Sequence, residues 1–313
     1  MPKLTLFTAP KPFTNPHIDM IQRNALRNWL AQGEDIEVVV VGDEPGIGEA
    51  CRELNIQHLP DVECNEHGTP LISSIFQLGR EVNNSPFLAY VNADILFLPG
   101  ILESIDHIAR EKGQFLGVGQ RWDLDVESPI SFDGNWVGDL NEQVRQNGKL
   151  HGQTGSDYFI YPRACFQDIP DFAVGRAGWD NWMIYKARWE HWPVVDMTDA
   201  LRIVHQNHDY AHLPGGIIHF HQPESQTNVQ LAGGRITILE LSDATHYLED
   251  GHLRRKPLVW KTFWREVEIY PLIGLHSRIL GLIAFAVFHP VKAYKRFKGW
   301  LAYKLKQIKK KSI

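Results

Sequence analysis

Phe87-Leu88-Ala89-Tyr90-Val91-Asn92-Ala93-Asp94-Ile95-Leu96-Phe97-Leu98 is apolar almost throughout, carries aromatic and β-branched residues, and follows Pro86. Such a run reads as a strand buried on both faces, in the middle of a parallel sheet. One polar triplet, Asn92-Ala93-Asp94, interrupts it. A carboxylate at the end of a buried strand is costly unless it has a partner. At the carboxyl edge of an open α/β sheet that partner is a metal ion or a bound ligand. The competing reading is an Asp that caps the helix following Pro99.

On either side of this run, strand and helix patterns alternate. Lys3 to Thr8 reads as a first strand, followed by the loop Ala9-Pro10-Lys11-Pro12. Pro16 to Leu30 places Ile18, Ile21, Ala25, Leu26, Trp29 and Leu30 on one helical stripe, with Gly33 just past its end. Glu37 to Val41 is a second strand that ends in Gly42-Asp43-Glu44-Pro45-Gly46, and a short helix over 47–54 leads to a third strand, Ile56 to Leu59. A polar loop with His67-Gly68-Thr69-Pro70 precedes a helix through Leu71, Ile75, Leu78 and Val82. After the central run come a helix from Ile101 to Arg110 and a strand from Phe115 to Val118. Elements of these lengths in this order predict βαβ units and a mostly parallel sheet flanked by helices.

Beyond Gln120 the pattern loosens. Arg121-Trp122-Asp123 reads as loop, and residues 128–155 are too rich in Gly, Asn and Asp to assign. Tyr158 to Tyr161 is a short strand, Gly178-Trp179-Asp180 opens a helix reaching about Trp189, and Val194 to Met197 is another strand. Val204 to Tyr210 then holds His205 and His208, followed by a Gly/Pro-rich stretch with His219 and His221.

The 313 residues have room for one large domain or two small ones. Net charge is uneven. No acidic residue follows Glu268, whereas ten basic ones do, which leaves 22 basic and 37 acidic residues in 1–268, a net of −15. An acidic body argues against nucleic acid as its partner and suits divalent cations. Cys51, Cys64 and Cys165 have no metal-ligand spacing and read as plain thiols of a reducing compartment. The first apolar run, Leu4 to Phe7, is too short for a signal peptide.

In its order and spacing the chain resembles nucleotide-sugar-dependent glycosyltransferases of the GT-A fold, over about residues 3–212. The features that carry the likeness are the first strand and loop, the second strand ending in Asp43, the central strand ending in Asn92-Ala93-Asp94, Asp180 at a later helix start, and a histidine beyond it. The resemblance implies a nucleoside-diphosphate sugar donor and a divalent cation, Mn²⁺ or Mg²⁺, that neutralises the departing diphosphate. It implies Asp94 as metal ligand, with His208 or alternatively His205 completing the site. Asn92, where the family has an acid, helps bind the ribose or a metal-bound water. Asp43 binds the nucleobase, Thr8, Ala9 and Pro10 line the same pocket together with Ala93, and Gly68 and Thr69 let backbone approach the nucleotide. Arg121, Trp122 and Asp157 meet the donor sugar or the acceptor. Asp180 is the general base of an inverting reaction, with Trp179 as a stacking face for a sugar. For each of these the alternative is structural: a helix cap for Asp180 and a turn for Asp43.

Near the end, Pro271 to Phe288 is strongly apolar, but its uninterrupted part from Ile279 is too short to span a bilayer. After Pro290, lysines alternate with Tyr294, Phe297, Trp300, Leu301, Tyr303, Leu305 and Ile308, the pattern of a basic amphipathic helix on an anionic membrane surface. The chain is thus expected to divide into a GT-A domain at 1–234, a helical connection at 235–268 and a basic amphipathic tail at 269–313. The expected setting is the cytoplasmic face of a membrane, and the expected acceptor is lipid-linked or a polysaccharide. Two other readings compete. A sugar-nucleotide pyrophosphorylase would need a Gly-rich signature with Arg and Lys after the first strand, where this chain has Ala9-Pro10-Lys11-Pro12. A catalytically inactive scaffold or glycan-binding protein on the same fold is favoured by Asn92 and opposed by Asp94, Asp180 and His208 together.

Overall fold

A computed structural model describes residues 1–208, 222–295 and 298. The Gly/Pro-rich stretch with His219 and His221, and the lysine-rich end from 299 onward, lie outside them. The chain divides into two compact units, 1–187 with 192–256, and 188–191 with 257–313.

The first unit is mixed α/β. Its elements run β1 (Leu4–Thr8), α1 (Pro16–Leu30), β2 (Ile36–Val41), α2 (Ile47–Leu54), β3 (Gln57–Leu59), α3 (Ile72–Glu81), β4 (Phe87–Val91), β5 (Ile95–Phe97), α4 (Ile101–Ala109) and β6 (Leu116–Val118). They continue as β7 (Trp122–Leu124), α5 (Trp136–Asn147), β8 (Lys149–Leu150), β9 (Tyr158–Pro162), α6 (Trp179–Trp189), β10 (Val194–Asp196), β11 (Ile203–Gln206), α7 (Pro223–Leu231), β12 (His246–Glu249) and β13 (His252–Arg255). Among the described residues a large sheet has the order β13-β12-β10-β6-β9-β4-β1-β2-β3 and a smaller one the order β5-β11-β7-β8. The large sheet is mostly parallel, with β9 antiparallel to both its neighbours and β13 antiparallel to β12. This is the α/β class with a mostly parallel central sheet and flanking helices that the sequence led us to expect.

β4 lies at the centre, parallel to β1 and antiparallel to β9, and Leu88 to Val91 are all buried. The run from Phe87 to Leu98, however, is two strands. The chain leaves the large sheet at Asn92 and turns through Asn92-Ala93-Asp94, with Ile95 N–H donating to the Asn92 carbonyl at 3.2 Å. It then enters the smaller sheet as β5. The apolar pattern continues because both sheets bury it, and the triplet is polar because it is the turn between them. Gly100, with φ of 125°, caps the next helix instead of Asp94.

α1 is fixed at its start by Asn15, whose side chain accepts the N–H groups of His17 and Ile18, with Pro16 in the first turn. Its apolar stripe, ending in the fully buried Trp29, packs into the core. Two expectations require correction, and one stretch left unassigned takes shape. Arg121-Trp122-Asp123 is not wholly loop, since Trp122–Leu124 is β7, parallel to β11 and antiparallel to β8. Residues 128–155 contain α5. The stretch 235–268 is not all helical: β12 and β13 form a hairpin that extends the large sheet through β10. Asp250-Gly251, both at positive φ, make its two-residue turn, a strong short-range hairpin signal. All three cysteines are free thiols.

The second unit contains α8 (Trp260–Ile273) and α9 (Arg278–Phe288). They meet where Gly281 lies against Leu272, so closely that a Cβ at 281 would sit 3.0 Å from the Leu272 Cβ. In α9 only Gly281 is buried, while Ile279, Ile283 and Val287 are exposed. Among the described residues no helix is long and apolar enough to cross a membrane.

Candidate active site

A cavity of about 440 Å³ opens at the carboxyl ends of β1, β2 and β4. Ligands bind at this edge in open α/β sheets because the strand ends and the loops that follow them converge there. The loop after β1 contributes Ala9 to Pro12, the end of β2 Gly42 and Glu44, and the turn after β4 Asn92, Ala93 and Asp94. Asp157 enters from the start of β9, which runs the opposite way and so presents its first residue at the same edge. Gly68, Thr69 and Pro70 before α3, Val174 to Arg176 before α6, Arg121, His205 and His208 complete most of the wall.

The sheet alternation of β11 aims His205 at this space. Gln206, on the other face, is fully buried and donates to the Ile21 carbonyl at 2.8 Å, which locks the strand in register. His205 Nε2 then stands 3.8 Å from Asp94 Oδ2, and His208 Nε2 stands 3.1 Å from the same oxygen. One ligand atom from each of Asp94, His205 and His208 lies within 4.8 Å of the others. Asp94 Oδ1 is buried and has no hydrogen-bond partner among the described residues. A buried carboxylate oxygen is normally satisfied, so this orphan, on a carboxylate whose other oxygen faces two imidazole nitrogens, fits a divalent cation. Burial works to raise the Asp94 carboxyl. The His208 hydrogen bond, with His205 and Lys11 beside it, overcomes that and holds it well below the ordinary range.

Asn92 is engaged elsewhere. Its Nδ2 donates to Asp157 Oδ1 at 3.0 Å, and Arg121 Nη1 donates to the same oxygen at 2.7 Å. Arg121 also donates through Nε to Asp123 Oδ1 at 2.9 Å. Asp123 in turn faces His205 Nδ1 at 3.4 Å and bonds His151 Nδ1 at 2.8 Å. Burial would lower the His205 imidazole; Asp123 and Asp94 raise it instead.

Of the residues singled out from sequence, the cavity brings together Ala9, Pro10, Gly68, Thr69, Asn92, Ala93, Asp94, Arg121, Asp157, His205 and His208. Five others lie outside its lining. Thr8 is fully buried in β1. Asp43 is exposed beside Gly42. Trp122 sits half-buried in β7. Trp179 is no open stacking face: it packs edge-on against Tyr90 at 5.2 Å, within a cluster with Phe76 and Phe159. Asp180 stands in the first turn of α6, its Oδ1 accepting the Gly178 N–H at 3.3 Å. Burial, with Asp157 nearby, raises its carboxyl above the usual range, although backbone N–H groups pull the other way.

Lys11 is the main residue that sequence reasoning passed over. Its Nζ lies 3.0 Å from His208 Nε2 and 3.9 Å from Asp94 Oδ2, and burial lowers its ammonium against the pull of Asp94 and Asp157. The signal available was position alone, a cation between two prolines directly after the first strand. Arg176 also lines the cavity, and it pairs through Nε with Glu224 at 2.7 Å. Asp123 was hidden because its partners come from β11 and from the segment after β8.

No family model and no curated protein matches the chain. Among solved structures it is similar to the crystal structure of S. aureus TarS, at 16% identity and a TM-score of 0.39 over 66% of this chain and 35% of that one. It is similar in the same degree to S. aureus TarS 1-349, covering 58% of that chain. A third is the mannosyltransferase PcManGT from Pyrobaculum calidifontis in complex with GDP-Man and Mn²⁺, at 11% identity and a TM-score of 0.41 over 67% of this chain and 58% of that one. The chain thus spans between about a third and three fifths of the length of these structures. What the cavity can do chemically is set by its own side chains.

Proposed function

We propose that this protein is a glycosyltransferase of the GT-A type, taking a sugar from a nucleoside diphosphate with a divalent cation in attendance. The observation that carries this is the Asp94 carboxylate, whose one oxygen is orphaned and whose other oxygen faces two imidazole nitrogens, in a cavity that also holds Lys11, Arg121 and Arg176. Asp94 and His208, with His205 as the alternative, would hold Mn²⁺ or Mg²⁺. Bound there, the ion supplies Lewis-acid stabilisation of the diphosphate leaving group. Lys11 adds a second positive charge for the phosphates. Gly68 and Thr69 offer backbone to the nucleotide, with Gly68 at φ of 77°, where a side chain would be strained. The Arg121–Asp157–Asn92 bonds hold the floor of the donor site rigid, and Asp157 and Asn92 offer polar atoms to sugar hydroxyls.

Asp180 would serve as general base for an inverting transfer. A carboxyl raised by burial is a better proton acceptor than an ordinary one, and backbone N–H groups fix its direction. Ala93 would line the nucleotide end of the site, and Thr8 and Asp43, outside the cavity lining, would act on it only through the strand ends that carry Ala9 and Gly42.

The acceptor is proposed to be lipid-linked or a surface polysaccharide, reached from an anionic membrane face. What supports membrane association is the second unit, an apolar α9 with Ile279, Val287 and neighbours exposed, in a segment of chain that has ten basic and no acidic residues after Glu268. Nucleic acid is not proposed as a partner. Asn92 favours a second reading, a non-catalytic protein that binds nucleotide or glycan on this fold.

Thermal unfolding with UDP, GDP, ADP, CDP and dTDP, each with and without Mn²⁺, tests the first step. A ligand that binds the native state must raise its stability. At least one nucleotide should raise the midpoint more with Mn²⁺ than without. If none shifts it with any cation, the donor site is not there. Turnover of the matching sugar nucleotide separates enzyme from binding protein.

A further inference from the structure

Asn92 leaves the cation site one carboxylate short, and the structure shows what stands in for it. Asn92 cannot swing to the cation without breaking its bond to Asp157. His205 faces Asp94 through Nε2 while its other ring nitrogen faces the Asp123 carboxylate at 3.4 Å, with the Asn207 side-chain oxygen beside it at 3.3 Å. Metal-bound histidines hold their second nitrogen in this way, since the outer carboxylate fixes the tautomer and aims the lone pair inward. His208 presents Nε2 to the same Asp94 oxygen, and also stands 3.0 Å from Lys11 Nζ. One imidazole nitrogen carries one proton or none. It can donate to Asp94 or accept from Lys11, but not both, so the convergence of these atoms is unresolved by hydrogen bonding alone.

We infer that the cation is held by two imidazoles and one carboxylate, His205, His208 and Asp94, with Asp123 as the positioning residue for His205, and that the site selects a first-row transition ion over Mg²⁺. This rests on the cation-assisted reading of the cavity. Mg²⁺ demands oxygen ligands in near-ideal octahedral geometry. Imidazole nitrogens suit Mn²⁺ better, and Co²⁺ or Zn²⁺ better still, in the general order of divalent affinities. Exchanging one carboxylate for one imidazole therefore moves the preference away from Mg²⁺. Lys11 competes with the ion for His208 Nε2, which lowers the affinity for every cation by the same factor and leaves the choice between them to the ligand atoms.

The test is cation binding by the full chain, without substrate. Free Mn²⁺ is followed by electron paramagnetic resonance, with Mg²⁺ as competitor. Nitrogen couplings in the bound Mn²⁺ or Co²⁺ signal report the imidazoles directly. The wild type should bind one Mn²⁺, keep it against a hundredfold excess of Mg²⁺, and show couplings from two imidazoles. His205→Gln should weaken binding by at least about tenfold and leave one imidazole. Asp123→Asn should weaken it by about 10- to 100-fold, the usual cost of losing an outer-sphere partner. Glu142→Gln, at an exposed acid of α5 outside the cavity lining, should change little. Displacement of Mn²⁺ by equimolar Mg²⁺, wild-type affinity in His205→Gln, or a wild-type signal without two-imidazole coupling each overturns the inference, and the last needs no variant to fold. A nucleotide-induced thermal shift without any cation binding would sink this inference and leave nucleotide binding standing. Cation binding as described, with no nucleotide shift, would sink the proposed function alone.

Discussion

Asn92→Asp restores the acid that the resemblance leads one to expect, and the structure predicts that it harms the protein. Asn92 Nδ2 donates to Asp157 Oδ1 at 3.0 Å, and the Asp157 side chain is only 11% exposed. A carboxylate oxygen in the place of Nδ2 turns that bond into a contact between like charges. At 3.0 Å the repulsion is about 5.5 kcal/mol for an effective dielectric of about 20. The pair escapes part of it by holding a proton, which at pH 7 costs about 4 kcal/mol for a carboxyl that ordinarily titrates near 4. The hydrogen bond to an ionised acceptor, worth about 1.5–3 kcal/mol, is lost unless that proton replaces it. Arg121, bonded to the same Asp157 oxygen, lessens the repulsion. A net loss of about 2–4 kcal/mol is expected at pH 7. The sign with pH follows. The native variant holds a proton that its unfolded chain has released, so the loss grows as pH rises from 5 to 8 and shrinks on acidification. Urea unfolding of both proteins across that range, with chelator present, measures it. Mn²⁺ titration of the same samples should show no tighter binding. A variant as stable as wild type at pH 8, binding Mn²⁺ tenfold more tightly, would refute the reasoning and make Asn92 a lost ligand position.

Three further outcomes are expected. Asp180→Asn should keep nucleotide binding and lower turnover of the sugar nucleotide by about 10² or more; unchanged turnover would remove Asp180 from the chemistry. Because burial raises the Asp180 carboxyl, the native state binds a proton there that the unfolded chain has released, and stability falls as pH rises through that interval. Asp180→Asn should flatten that part of the stability profile, and an unaltered profile would contradict the burial argument. In the second unit, Ile279→Glu with Val287→Glu should reduce co-sedimentation with vesicles containing anionic lipid, whereas equal binding would move the contact elsewhere in the chain.

The alternation of strands and helices from Lys3 to Val118 was legible because it depends on local rules: Asn15 and Pro16 start a helix, apolar residues recur at helical spacing, and buried strands need unbroken apolar runs. Asp94 stood out as a candidate for the same reason, as a carboxylate in a stretch that otherwise excludes charge. The 246–255 hairpin carried a local sign too, Asp250-Gly251, and was read past. What no local pattern contained was pairing between distant segments. The break of the central run into β4 and β5 depends on a second sheet, built from β7, β8 and β11, which offers Ile95 to Phe97 another buried face. The burial of Trp179 depends on Tyr90, Phe76 and Phe159 arriving from three other elements. The position of Lys11 against His208, the bond from Asn92 to Asp157 and the support of His205 by Asp123 each join residues 65 to 197 positions apart. Sequence determined which runs would be buried as strands and helix stripes and where the polar exception fell. Tertiary structure decided which partners that exception meets, because the energy of a charge is set by what stands within a few ångströms of it, and chain order does not specify that distance.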